Sequence, residues 1–158
     1  MDMLIALSAL PARPAAPAGF RLRKPIGPEH DLVAAWVARC FSPAWASEAR
    51  AALANRPASL FVATCGEPAE LRGFCGYDAT ARGFVGPIGV QGDARGQGLG
   101  AALLLACLHD MRATGYGYAV AGAVGAPGFF RRVAGAIDIP GSTPGLYAGL
   151  LRAPPAAP

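Results

Sequence analysis

The sequence predicts an α+β fold, a central mixed and mostly antiparallel sheet of six to seven strands flanked by about four helices. Three observations carry that expectation. Apolar runs of strand length, bounded by Gly and Pro, fill the middle of the chain. Residues at helical spacing lie before and after them. The 158 residues, 53% of them hydrophobic, suffice for one packed core.

In order, residues 11–18 (PARPAAPA) cannot hold a helix and set 1–19 apart as an arm and linker, within which Met3, Leu4, Ile5 and Leu7 are suited to a small strand or turn. Residues 20–24 alternate as a half-buried first strand. Over 29–41, Leu32, Val33, Trp36, Val37 and Cys40 share one helical face, with Pro28 and Glu29 suited to the first turn. Ser42-Pro43 ends that helix, and a second spans about 44–55 before Arg56-Pro57. Strands follow at 59–65, 71–78 and 84–91, joined by turns at Gly66-Glu67-Pro68 and Ala81-Arg82-Gly83. In the second, Leu71, Gly73, Cys75 and Tyr77 share a face opposite Phe74. A long helix over about 99–114 has Gly115 as C-cap. A buried strand at 116–124, a short helix at 128–134 and closing strands at 136–139 and 146–151 complete a domain over 20–152. Residues 153–158 (APPAAP) read as a disordered tail.

Composition narrows the function classes. The net charge of +4 comes almost wholly from scattered arginines, with no basic block or aromatic-interleaved stripe, so nucleic-acid binding is not expected. Only 15% of residues are charged, which argues against wholesale disorder. No apolar run reaches bilayer length, and no membrane partner is expected. Asp2 occupies the basic start that a secretory signal needs, and Pro11 follows closely. Cys40, Cys65, Cys75 and Cys107 lack metal-ligand spacing, so no metal is expected and a reducing cytoplasm fits. The Ala, Gly, Pro and Arg richness suggests a GC-rich bacterial source.

The most informative stretch runs from 84 to 111. An apolar strand interrupted by Pro87 and Gly89 leads through Arg95-Gly96-Gln97-Gly98-Leu99-Gly100 into a long helix. Unpaired N–H groups and the helix dipole favour an anion there, and glycines let backbone approach a phosphate. A ligand-free loop gives no structural return for three alternate glycines. Gly96-x-Gly98-x-x-Ala101 formally fits a dinucleotide fingerprint, which makes a nucleotide-binding module an alternative. The acidic residue due about 20 positions later is missing from the next strand, however. Pro87 has no N–H, so Pro87 and Gly89 should bulge the strand and leave backbone groups unpaired around Ile88 and Val90.

Arg95-x-x-Gly98-x-Gly100 resembles the Arg/Gln-x-x-Gly-x-Gly/Ala signature of the GNAT acetyltransferases. The succession of elements is similar over nearly the whole chain. Phe129-Phe130-Arg131-Arg132 resembles the family's Phe-Tyr-charged region. The opening MDMLIALSALP, FSPAWASEARAALANRP, CGYDATARGFVGPIGV and IPGSTPGLY resemble small bacterial members of unassigned substrate. This resemblance implies a splayed strand pair and acetyl-CoA as cosubstrate. The pantetheine amides would pair with Ile88, Gly89 and Val90, and the pyrophosphate would lie on Arg95, Gly96, Gln97, Gly98, Leu99 and Gly100. Phe129, Phe130 and Arg132 would complete the coenzyme site.

The implied reaction is direct acetyl transfer to a primary amine of a small-molecule or aminoacyl acceptor, without an acyl-enzyme. It needs a base for the amine and a proton for the departing sulfur. Many relatives supply that proton from a tyrosine where this chain has Phe130, so a CoA-binding regulatory or catalytically degenerate member is the alternative. Tyr147 is the substitute acid, and Glu48 or Asp78 the base. Trp45, Tyr77 and Asp78 are candidates to bind the acceptor, while Cys107 reads as packing. A homodimer is compatible with the resemblance.

Overall fold

The computed structural model describes residues 1–151; the expected tail at 153–158 lies outside the described residues. Seven strands form one sheet in the order β2-β3-β4-β5-β6-β1-β7. They are β1 (Met3–Ala6), β2 (Phe20–Arg23), β3 (Leu60–Cys65), β4 (Glu70–Tyr77), β5 (Phe84–Val90), β6 (Tyr118–Ala121) and β7 (Ile137–Asp138). Every neighbouring pair is antiparallel except β5 and β6, which are parallel. Four α-helices flank the sheet: α1 (His30–Cys40), α2 (Pro43–Ala54), α3 (Leu99–Ala113) and α4 (Pro127–Ala134). The α+β class, the mixed sheet and the helix number are those expected.

Each face of the sheet has its own core. Leu60, Val62 and Phe74 pack against Val33, Val37, Ala49 and Leu53 of α1 and α2. Phe61, Ala63 and Cys75 face α3, whose residues from Ala102 to Leu108 are all buried. A helix apolar nearly all round must be covered nearly all round, and α3 is. Cys107 lies within it, fully buried, and its thiol donates to the Cys75 carbonyl at 3.2 Å. Burial pushes that thiol's pKa up, as suits packing rather than nucleophilic chemistry.

Several expectations need correction. Residues 1–19 are not merely an arm: β1 lies inside the sheet between β6 and β7, because Met3 and Ile5 point into the core. Leu32 is 67% exposed, lying at the rim of the apolar stripe in the first turn of α1. Leu71 packs with Phe74 instead of opposite it, because the register shift between Ala63 and Thr64 leaves Arg72 as an extra residue. Residues 146–151 form no strand; a single turn of 3-10 helix, Gly145–Tyr147, stands there. Gly141, Gly145 and Gly149 all have positive φ, which breaks extended pairing.

Candidate active site

The site grows from the irregularity of β5. Cys75 pairs with Ile88 and Tyr77 with Val85, so three steps along β5 answer two along β4. The extra residue falls at Gly86-Pro87: the bulge expected from Pro87 is there, whereas Gly89, expected to share in it, is regularly paired. Beyond it, Gly89 pairs with Phe74, and the Gln91 N–H donates to the Arg72 carbonyl at 2.8 Å. By alternation, the peptide groups of Ile88 and Val90 point away from β4. On that side β6 accompanies β5 only through Phe84↔Val120 and Val85↔Ala121, and then ends. The two parallel strands therefore part, leaving one edge of β5 open.

A cavity of about 910 Å³ fills the gap. Its floor is Val85 to Val90, its far wall Ala121 to Ala126, and one end the turn into α3. Gly96 and Gly98 have φ of +76° and +82°, and Gly98 is the N-cap of α3. A Cβ added to either glycine would meet no protein atom within 4 Å, so each has open space beside it, and both line the cavity. The Arg95 guanidinium donates from Nε to the Val90 carbonyl at 3.0 Å, tying the turn to the end of β5. Arg132 lines the cavity from α4 with Phe129 and Phe130, whereas Arg131 forks onto Asp138 at 2.6 and 2.7 Å. Leu99 and Gly100 also line it; Gln97 does not, and its side chain turns towards the Asp93 carbonyl.

The other end lies where β5 and β6 separate. Trp45 and Glu48 enter it from α2, a helix capped by Ser42, whose hydroxyl accepts from the Trp45 N–H at 3.1 Å. The Thr80 hydroxyl donates to Glu48 Oε1. Tyr147 approaches from the late 3-10 turn, with its hydroxyl against the backbone of Gly122. A Cβ at Gly122 would lie 2.5 Å from that oxygen and 2.9 Å from the Phe84 ring, so only glycine fits. Burial raises the Tyr147 hydroxyl pKa, and the charges of Glu48 and Asp2 raise it further; the Thr80 side chain opposes them. Glu48 and Tyr147, nearly a hundred residues apart, thus share one cavity end.

Tyr77 and Asp78 do not reach that cavity. Tyr77 is buried and donates to Asp110 Oδ2 at 2.8 Å; burial first, then that bond, drive its pKa upward. Asp78, at φ +52°, accepts from the Gly83 N–H and the Tyr116 hydroxyl, and so fixes the β4–β5 turn. Both carry structural tasks.

Phe41, Thr80, Phe84 and Asp2 are the residues that sequence reasoning missed. Asp2 is only 6% exposed. Its Oδ1 accepts from the Ala123 N–H at 2.8 Å, its N–H donates to Ser142 Oγ at 2.7 Å, and its carbonyl accepts from the Ile139 N–H at 2.9 Å. It joins the cavity wall to the segment that carries Tyr147. An acid directly ahead of an apolar strand, needing partners once buried, was the available signal.

Gly89 has a reason of its own. An added Cβ would sit 2.6 Å from Phe41 ring atoms and 3.0 Å from Phe74. Gly89→Ala is expected to destabilise the protein by about 1–3 kcal/mol through overpacking, read as a lower Tm in a thermal melt. An unchanged Tm would mean that the Phe41 ring yields freely.

Comparison with known proteins places the chain. The family model described as Acetyltransferase (GNAT) family matches residues 30–135. Among solved structures, a GCN5-related N-acetyltransferase from Sphaerobacter thermophilus is similar at 23% identity and TM-score 0.68, over 86% of this chain and 47% of that one. A Drosophila protein is similar at 16% identity and TM-score 0.69, over 87% of this chain and 46% of that one. A GCN5-related N-acetyltransferase from Kribbella flavida is similar at 21% identity and TM-score 0.58, over 84% of this chain and 52% of that one. The chain thus spans about half the length of these structures, and the likeness is one of fold. No curated protein matches. The chain belongs to the GNAT acetyltransferase family. Among the described residues no helix is long and apolar enough to cross a membrane, and no group of His, Cys, Asp or Glu is placed to hold a metal.

Proposed function

We propose that this protein is an acetyl-CoA-dependent N-acetyltransferase acting on a primary amine. The observation that carries the reading is continuity. One cavity joins the glycine cradle at α3, the open edge of β5, and the Glu48–Thr80–Tyr147 group. The residues present fit the cosubstrate. Ile88 offers both its peptide groups and Val90 its N–H to an amide-bearing arm as an added strand would. The N–H groups from Gly96 to Gly100 and the Arg132 guanidinium suit a pyrophosphate. Acetyl-CoA supplies the acyl group, activated as a thioester.

The chain's own residues then divide the proton work. Glu48, oriented by the Thr80 hydroxyl, takes the proton from the acceptor ammonium, directly or through one water. Tyr147 keeps its proton well into the alkaline range, because burial and the neighbouring carboxylates raise its pKa. It is protonated at neutral pH and, placed at this end of the cavity, is the hydroxyl that gives its proton to the departing sulfur. Phe130 has none to give and is 8% exposed, packed edge-on against Phe129. Its hydrocarbon excludes water from the coenzyme arm.

Calorimetry with acetyl-CoA, NAD and ATP, followed by thiol release across an amine panel, tests the reading. Heat with acetyl-CoA alone and amine-dependent release are expected. Binding without release above hydrolysis for any amine would leave the CoA-binding regulatory alternative instead. Heat with NAD or ATP and not acetyl-CoA would favour a nucleotide module. Phe130→Tyr is expected to keep or raise kcat, because the ring is conserved and a second hydroxyl borders the same cavity. A large loss with binding intact would reveal a packing demand at that position.

A further inference from the structure

The amine end of the cavity has a composition of its own. Phe41 stacks on Trp45, with ring centroids 5.5 Å apart and planes at 29°, and both line the cavity. Phe74, fully buried, braces both rings from behind at 5.5 and 6.1 Å. Trp45 and Glu48 are one turn apart on α2 and so share its face. Phe84 and the Tyr147 ring lie across the strand crotch. Among the described residues, the charged side chains lining the cavity are Glu48, Arg95 and Arg132. Both arginines belong to the cradle end, Arg95 beside the α3 turn and Arg132 on α4. Among the described residues, the amine end therefore presents aromatic rings around one carboxylate and no cation.

We infer that the acceptor is a monoamine with an aromatic body and no anionic group, an arylalkylamine in chemical class. This rests on the acetyltransferase reading and narrows it. An ammonium beside Glu48 gains a charge partner and, over Trp45, a cation–π contact. A flat ring buries its area against Phe41 and Trp45 at little entropic cost, because those rings are already held by Phe74. A carboxylate on the carbon bearing the amine would instead lose its water opposite Glu48 with no cation to meet it. Sugar hydroxyls would be buried against ring faces without partners, and a second ammonium would find no second carboxylate among the described lining residues.

The test compares phenethylamine, phenylalaninamide, phenylalanine, putrescine and glucosamine by thiol release at saturating acetyl-CoA. The expected result is kcat/KM at least about tenfold higher for phenethylamine and phenylalaninamide than for the other three. Trp45→Ala should raise the KM for phenethylamine about tenfold or more, with acetyl-CoA affinity unchanged by calorimetry. Trp45→Phe, which retains a stacking ring if the alanine variant fails to fold, should keep that KM within a few-fold. Equal or better turnover of phenylalanine, putrescine or glucosamine overturns the acceptor class and leaves acetyl transfer standing. The absence of release from every amine, with acetyl-CoA bound, removes the transferase reading and this inference with it.

Discussion

Gly98→Val is expected to abolish coenzyme A binding while leaving the fold in place. At φ +82° this residue occupies the left-handed region, where a side chain costs about 1–2 kcal/mol and a β-branched one more. That strain burdens the free and the bound protein alike, so it lowers stability and not affinity. The loss of binding comes from position. No protein atom lies within 4 Å of the added Cβ, so the fold does not resist the side chain. The isopropyl group instead fills the room where a phosphate must approach the first N–H groups of α3. Calorimetry with acetyl-CoA should show affinity weakened at least about a hundredfold, with an unchanged circular dichroism spectrum. Wild-type affinity in this variant would place the phosphates elsewhere and sink the cradle.

Glu48→Gln should lower kcat about a hundredfold, the usual scale for loss of a positioned base. The amide oxygen can still accept from Thr80, so the α2 wall and the pocket's shape remain. The affinity for acetyl-CoA should not move, because Glu48 lies at the opposite end of the cavity from the cradle. Tyr147→Phe gives a different signature. The ring stays packed against Gly122 while the proton is lost, so kcat should fall. In the parent enzyme the alkaline limb assigned to Tyr147 should lie above the ordinary tyrosine range, as the direction of its shift requires, and vanish in the variant. A Glu48→Gln variant within about twofold of the parent would reduce Glu48 to a positioning group.

What the sequence made legible is what short-range chemistry controls. Pro43 at the start of α2, Gly98 before α3 and Gly135 after α4 stand where local conformational rules put them. The bulge at Gly86-Pro87 follows from a missing N–H. Tyr147 shows where such rules stop. Its segment has apolar residues enough for a strand, yet its glycines and Pro140 and Pro144 favour a turn. Likewise, Glu48 and Tyr147 were separate candidates, and nothing local brings them together. The segment that carries Tyr147 is tied to the cavity wall by Asp2, more than a hundred residues away in sequence, which bonds to Ala123 and Ser142. Tyr77 and Asp78 mark the converse: a polar tip beside a strand end was satisfied inside the fold.

The place of β1 has a consequence for how the molecule comes into being. From β2 to β5 each strand lies beside the next in sequence; short turns join β3 to β4 and β4 to β5, while α1 and α2 connect β2 to β3. The remaining edge is assembled from opposite ends of the chain, with Met3 opposite Ala121 and Leu4 opposite both Val120 and Ile137. During synthesis the first strand must wait for nearly all the rest, and contacts of such separation are the slow ones. These four strands and α1–α2 can organise earlier on the ribosome. The groove cannot, because its far wall enters the sheet only when β6 is gripped by β5 on one side and β1 on the other. In the life of each molecule, the groove is expected to be the last part to form.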